Sequence, residues 1–294
     1  MSVSTRLTAI SHTVPEITFD NQAKFIFFSD CHRGDNSWAD DFAHNQALFF
    51  HALQHYNREK FTYIEVGDGD ELWENSDFSR LKRAHSHIYW LLSQFYRDDR
   101  FHLLYGNHNI VWKNPQAVQE HLYHYFDEVA QTEKPLFEGI TPQEGLMLQH
   151  RESGRRILVT HGHQGDLFSE TLWPLSRLLV RVLWKPLQIL GLRDPTSPAQ
   201  NYQKRNQVEQ EIIAWIQQEQ CPVICGHTHR PVFPNPDEPA YYNTGSVVHP
   251  RCITGMEIEN GEITLIKWWV RPNAAGLLQI TRQVLEGPRP VAEM

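Results

Sequence analysis

Lys24–Ser29 reads Lys-Phe-Ile-Phe-Phe-Ser and runs without a break into Asp30-Cys31-His32. An apolar run this short, near-continuous rather than alternating, fits a strand buried on both faces of a sheet flanked by helices. Four further runs follow the same plan. Phe61–Val66 leads into Gly67-Asp68-Gly69-Asp70-Glu71, and Phe101–Tyr105 into Gly106-Asn107-His108-Asn109. Ile157–Thr160 leads into His161-Gly162-His163, and Cys221–Cys225 into Gly226-His227-Thr228-His229. Each run gives way to Asp, Asn or His. In an open α/β sheet, ligands gather outside the carboxyl ends of the strands. The five motifs are therefore predicted to converge on one site.

Helical patterns separate the runs. Ala39–Asn57 places Phe42, Ala47, Phe50 and Leu53 at roughly helical spacing, and Ser79–Arg97 does so with Leu81, Ala84, Ile88, Leu91 and Phe95. Val208, Ile212, Trp215 and Ile216 mark a third helix. Beyond the last motif, Tyr241–His249, Cys252–Glu259 and Glu262–Val270 read as consecutive strands, with Asn260-Gly261 as a hairpin turn. The tail from Arg271 is expected to be loosely held. The whole chain, 1–294, reads as a single α/β domain with a core over about 24–270 and a helical insertion at about 166–205.

Hydrophobic residues make up 40% of the chain and charged residues 21%, which excludes a disordered polymer. The formal charge is 27 − 35 = −8, with no long basic face, which weighs against a nucleic-acid partner. Cys221 and Cys225 would lie about 13 Å apart along a strand, too far for a disulfide or a shared metal, so reduced thiols are expected. Met1–Phe19 lacks an apolar core behind a basic start, so no signal peptide is expected. No uncharged apolar stretch reaches the ~18 residues of a spanning helix. A cytoplasmic setting follows as the expectation.

The residue types say what converges. Asp30 and His32 are two apart, as are His227 and His229, so on extended chain each pair points to one side. Carboxylate and imidazole donors without thiolates suit Mn²⁺ first, with Fe or Zn²⁺ as the other candidates. About seven such donors exceed what one ion takes, which points to two divalent ions. A two-metal site clamps the attacking and leaving oxygens of an in-line displacement and lowers the pKa of a bound water.

With these five motifs in this order, the chain resembles the calcineurin-like metallophosphoesterases. Their signature is Asp-x-His, Gly-Asp-x-x-Asp/Glu, Gly-Asn-His-Asp/Glu, His-Gly and Gly-His-x-His. The resemblance implies a four-layer α-β-β-α sandwich, two stacked sheets between helices, and hydrolysis of a phosphoester by a metal-activated hydroxide. It implies that Asp30, His32, Asp68 and His229 hold one metal. Asp68, Asn107, His161 and His227 hold the other, with Asp68 bridging. It makes His108 the catalytic proton donor to the leaving oxygen, or a stabiliser of phosphoryl charge, and Glu71 the carboxylate that orients it. Asn109 stands where the family has Asp or Glu, so altered hydrogen bonding is expected there. His161, at the strand end, is read as a ligand; His163, Arg33 and Arg230 are read as substrate-binding, with a supporting role or solvent exposure as the alternative for His163 and a surface salt bridge as the alternative for either arginine.

Residues 171–192 place Arg177, Arg181 and Lys185 four apart, a basic stripe on an apolar helix with Trp173 and Trp184. Three readings stand: a cap packed on the core or another subunit, a lid over a substrate with an apolar tail, and a helix lying on an anionic membrane surface. The segments His161–Asp166 and Gly226–Pro231 are also similar to those of the UDP-2,3-diacylglucosamine pyrophosphohydrolases. Those enzymes carry Gly-Asn-Arg-Asp where this chain has Gly-Asn-His-Asn, which favours a general phosphoesterase acting on a phosphorylated small-molecule or lipid-like substrate. The alternatives are the lipid-precursor pyrophosphohydrolase itself, a nuclease, and a non-catalytic metal-binding scaffold.

Overall fold

The computed structural model describes residues 2–127, 130–164 and 202–294. Along these residues the strands are β1 Glu16–Phe19, β2 Phe25–Phe28, β3 Thr62–Val66, β4 Phe101–Leu104, β5 His124–Asp127, β6 Thr132–Pro135 and β7 Gly145–His150. They continue with β8 Arg156–Thr160, β9 Val223–Cys225, β10 Tyr241–Asn243, β11 Cys252–Glu259, β12 Glu262–Pro272 and β13 Leu278–Pro290. The helices are α1 Val3–Thr13, α2 Gln46–Arg58, α3 Phe78–Ala84, α4 Ser86–Arg97, α5 Pro115–Leu122 and α6 Tyr202–Glu219. The expected insertion lies outside the described residues as far as 201, and with it the whole of 171–192.

Two sheets carry the architecture. One runs β13-β12-β11-β2-β3-β4, with β2, β3 and β4 parallel; the other runs β1-β7-β8-β9-β10, with β8, β9 and β10 parallel. Side chains of a strand alternate between its two faces, and the burial follows that alternation. Phe25 and Phe27 of β2, Ile64 and Val66 of β3, Leu148 of β7, Ile157 and Val159 of β8, and Ile224 of β9 form one apolar layer between the sheets. Ile26, Phe28 and Tyr63 face the other way, onto a second layer with Phe49, Leu53 and Tyr56 of α2 and Leu92 and Phe95 of α4. Met147, Leu158 and Val223 meet α1 and α6 through Leu7, Ile10, Ile212 and Trp215. The order is helix, sheet, sheet, helix. All five motif-bearing runs are strands, but they divide between the sheets: three end in one, two in the other.

Several elements differ from the sequence reading. Ser79–Arg97 is two helices, because the buried His85 imidazole turns to Asp40 at 2.8 Å and interrupts the helical run. The helix expected from Ala39 starts at Gln46. Asp40 accepts from the Phe42 N–H at 3.0 Å, closing a short 3₁₀ turn, and the Asn45 amide donates to the carbonyls of Val247 and His249 at 2.7 Å each. Helix α1 was not anticipated, although Ser2 caps it through the Thr5 N–H and Val3, Leu7 and Ile10 bury one face. The largest correction is the tail. From Leu278 it pairs antiparallel with β12 over ten register positions, and Val291 and Met294 lie in the layer between the sheets. Its polar composition reflects an edge strand with one solvated side.

Val291→Asp is therefore expected to lower the unfolding free energy by at least about 3 kcal/mol, since it buries an unpaired carboxylate between the sheets. Urea denaturation measures this; a loosely held tail would tolerate the change.

Candidate metal centre

The two sheets bring their motif ends to one place, and backbone hydrogen bonds continue past the strands to align them. The N–H groups of Asp30, His32 and Arg33 donate to the carbonyls of Gly67, Asp68 and Gly69 at 3.1, 2.9 and 3.0 Å. The Glu71 N–H donates back to the Arg33 carbonyl at 3.0 Å. Between the second pair of runs, Gly226 N–H donates to the His161 carbonyl at 3.0 Å. Asp30, His32, Asp68, His227 and His229 all hold positive φ, between 47° and 68°. A non-glycine residue in that region costs of order 1–3 kcal/mol, and such residues cluster at functional sites. Here the strain turns side chains off the strand ends towards a common centre.

Glycine beside these residues is a matter of room. A Cβ on Gly67, itself at φ +79°, would come within 2.5 Å of the His161 ring. One on Gly226 would overlap the Asp30 carboxylate.

Among the described residues three groups of donor atoms result: Asp30 with His32 and His229, Asp68 with His161 and His227, and His32 with Glu71 and His108. In the first, Asp30 Oδ1 lies 3.1 Å from His229 Nε2 and 3.8 Å from His32 Nε2. In the second, Asp68 Oδ2 lies 3.0 Å from His161 Nε2, which is also 3.9 Å from Asp30 Oδ1 and so joins the groups. Asn107 is buried between the motifs. The other donor atoms of these side chains are tied down. His161 Nδ1 donates to the Val66 carbonyl at 2.9 Å, which leaves Nε2 as a lone pair facing the carboxylates. Asp30 Oδ2 accepts from Ser29 Oγ and from the His227 N–H, and Asp68 Oδ1 accepts from the His108 N–H at 2.8 Å.

Asp30 Oδ1, Asn107 Oδ1 and His161 Nε2 are buried and make no hydrogen bond among the described residues. A buried polar atom left this way costs about 1–3 kcal/mol, and two of the three, Asp30 Oδ1 and His161 Nε2, lie 3.9 Å apart. With oxygen and imidazole donors and no thiolate, the set fits divalent metal ions. The electrostatics point the same way. Burial would push the Asp30 carboxyl up, yet His229 and His161 hold it well below the usual carboxylate range. Asp68 is lowered likewise, against burial, by His161 and His108. Conversely Asp68 and Asp30 raise His161 to about 8 despite its burial. Carboxylates that hold protons on neighbouring imidazoles this firmly will hold cations in their place, releasing those protons.

Beside the metal groups, Glu71 forks between two imidazoles. Its Oε2 lies 2.7 Å from both His32 Nδ1 and His108 Nδ1, and its Oε1 lies 2.9 Å from His108 Nδ1. Burial would push the Glu71 carboxyl up, but His108 and His32 bring its pKa down to about 2. Asn109 accepts from the Gly106 N–H at 2.7 Å and so braces the turn carrying Asn107 and His108. Asn243 and Thr244 support the opposite side: Asn243 Nδ2 donates to the Gly226 carbonyl at 2.7 Å, and Thr244 Oγ1 meets Ser29 Oγ at 2.7 Å.

The three residues read as substrate-binding do not share one environment. Arg33 takes the salt-bridge alternative, buried and not at the surface. Its guanidinium is 1% exposed, bidentate on Glu65 at 2.7 Å and bound to Asp70 at 2.9 Å, with Tyr63 and Tyr89 closing the network. It has no face left for a phosphate. Arg230 pairs with Glu209 of α6 and remains half exposed. His163 sits beside His161 and His227 with ring centroids 5.4 and 6.4 Å away, but buried; burial and those two rings push its pKa well below the ordinary value. Trp73 was missed altogether. Its only signal in the sequence is a tryptophan two residues after Glu71.

The family model for calcineurin-like phosphoesterases matches residues 23–231. The chain belongs to that family, whose members point to metal-dependent hydrolysis of phosphoesters. No curated protein matches the chain. Among solved structures, Vps29 of Chaetomium thermophilum is similar at 9% identity, with 90% of this chain and 96% of that chain covered and a TM-score of 0.38. That superposition is too loose to inform fold or activity.

Arg33→Met is expected to cost about 3–5 kcal/mol of stability, because it strands Glu65 and Asp70 as buried unpaired charges. A guanidinium denaturation curve measures the loss. An unchanged midpoint with a raised KM would return Arg33 to the substrate.

Proposed function

We propose that this protein is a dinuclear metal-dependent phosphoesterase, hydrolysing a phosphomonoester, phosphodiester or pyrophosphate bond. The observation that carries the reading is the pair of donor groups, Asp30/His32/His229 and Asp68/His161/His227, linked through the Asp30–His161 approach of 3.9 Å. Asp68 would be the carboxylate shared between the ions, and Asn107 would complete the second set. Bound there, two divalent ions, Mn²⁺ first and Fe or Zn²⁺ otherwise, would supply an activated water and neutralise phosphoryl charge. The chain's own residues do the rest. Asp30 and Asp68 fix the charge of the site, and Val66 and Glu71 fix the tautomers of His161 and His32. His108, with Nδ1 on Glu71, presents Nε2 as proton donor to the departing oxygen.

The substrate we propose is a phosphorylated small molecule or lipid-like molecule. Four free cysteines support a reducing, cytoplasmic setting. No helix among the described residues is long and apolar enough to cross a membrane. The site itself favours an enzyme over a scaffold. A scaffold needs the metal ligands, but not a carboxylate-anchored histidine beside them.

Purified protein with Mn²⁺ is expected to hydrolyse p-nitrophenyl phosphate, bis-p-nitrophenyl phosphate or a UDP-linked pyrophosphate. A chelator should abolish the turnover and added Mn²⁺ restore it. Asp68→Asn should lower kcat more than about 100-fold, beyond what loss of a residue supporting a ligand costs. Absence of turnover on all three substrates, with metal bound, contradicts the enzyme reading.

A further inference from the structure

His108 is held on more sides than its hydrogen bond to Glu71 accounts for. The Trp73 indole lies flat against the imidazole, with centroids 4.3 Å apart and planes 20° from parallel. The His32 ring stands nearly perpendicular to it, 87° at 4.6 Å. The turn that delivers Trp73 is wound round the carboxylate that anchors His108. Glu71 Oε1 accepts from the backbone N–H groups of Trp73 and Glu74 at 3.2 and 3.3 Å, and the Asn75 amide donates to the Glu71 carbonyl at 2.9 Å.

We infer that Trp73 is a positioning residue for the proton donor: its indole face and the Glu71 carboxylate together hold His108 with Nε2 as the nitrogen offered to the leaving group. The inference rests on the phosphoesterase reading above. A hydrogen bond in the ring plane selects which edge of an imidazole faces its partner, but it leaves the ring free to tilt about that bond. A stacked aromatic plane removes the tilt, and a near-perpendicular neighbour blocks rotation the other way. Misplacing a reacting group by about 1 Å costs on the order of 100-fold in rate.

Trp73 has little else to do at this position. Its side chain is 8% exposed, with one face already covered by His108, so it offers no platform for a substrate ring. Its indole N–H is buried with no acceptor among the described residues.

The step it serves is balanced as follows. Water adds to phosphorus and loses a proton to solvent; the ester P–O bond breaks with its electron pair on the leaving oxygen, which takes the proton from His108 Nε2, and His108 regains a proton from solvent. A donor matters little for p-nitrophenolate, a weak base that leaves unaided, and greatly for a strongly basic leaving oxygen.

Kinetics on p-nitrophenyl and unsubstituted phenyl esters of the preferred phosphate class, with metal content and unfolding midpoint measured on each variant, test the inference. Trp73→Leu should lose only a few-fold on the nitrophenyl ester and about 10- to 100-fold on the phenyl ester. Trp73→Phe, which keeps an aromatic plane, should stay within a few-fold of wild type on both. The double variant Trp73→Leu/His108→Asn should be no slower than His108→Asn alone, because the tryptophan acts through the histidine. Should Trp73→Leu fail to fold, Trp73→Met keeps the volume without the π face and carries the same expectation. Equal losses on both esters, or an additive double variant, would overturn the inference while leaving the phosphoesterase reading intact. A wild type without turnover on any ester removes both.

Discussion

The structure depends on the encounter between Asp30 and His161, side chains from different sheets whose polar atoms come within 3.9 Å at full burial. Neither would be tolerated there alone. Desolvating a carboxylate is costly unless it is paired and hydrogen-bonded; Asp30 Oδ2 accepts from a hydroxyl and a backbone N–H, while its Oδ1 faces the His229 and His161 imidazoles at 3.1 and 3.9 Å. Stacking the sheets through Phe27, Ile64, Val159 and Ile224 brings the two strand ends together. Strain at five positive-φ ligand positions is held by that stacking and by the backbone bonds between the motif turns.

Around this centre the polar residues fall into two functional kinds. Arg33, Glu65, Asp70, Tyr63 and Tyr89 form a sealed ionic network beneath the first two motifs, and it fixes the spacing of the turns that carry Asp30 and Asp68. Glu71, His108 and Trp73 stand at the more open side, where the His108 side chain is 22% exposed. The first kind needs rigidity and no solvent. The second needs orientation together with access. The arginine adjacent to the first motif is taken up by that network, while Trp73 is the ring proposed to orient His108.

Most of the sheet and the metal donors were legible because both obey local rules. Continuous apolar runs announce buried strands, and Asp, Asn and His follow the strand ends without a gap; the choice of Asp30, His32, Asp68, Asn107, His161, His227 and His229 as candidate ligands came from the resemblance to the family's motifs. What escaped depended on distance in sequence. Arg33 looks like a phosphate contact until Glu65, 32 residues on, is seen to take its guanidinium. The break at His85 needs Asp40, and the tail needs the edge of β12 to become a strand. Trp73 is unremarkable as a residue type, and its meaning comes only from the ring it covers.

The central claim is that the strand ends hold two ions bridged by Asp68. Crystals grown with Mn²⁺ and measured at the manganese absorption edge test it most directly. The account predicts two anomalous peaks per chain about 3.5–4 Å apart, one among Asp30, His32 and His229, the other among Asn107, His161 and His227, with Asp68 touching both. A single peak, or a pair that Asp68 does not join, would contradict it.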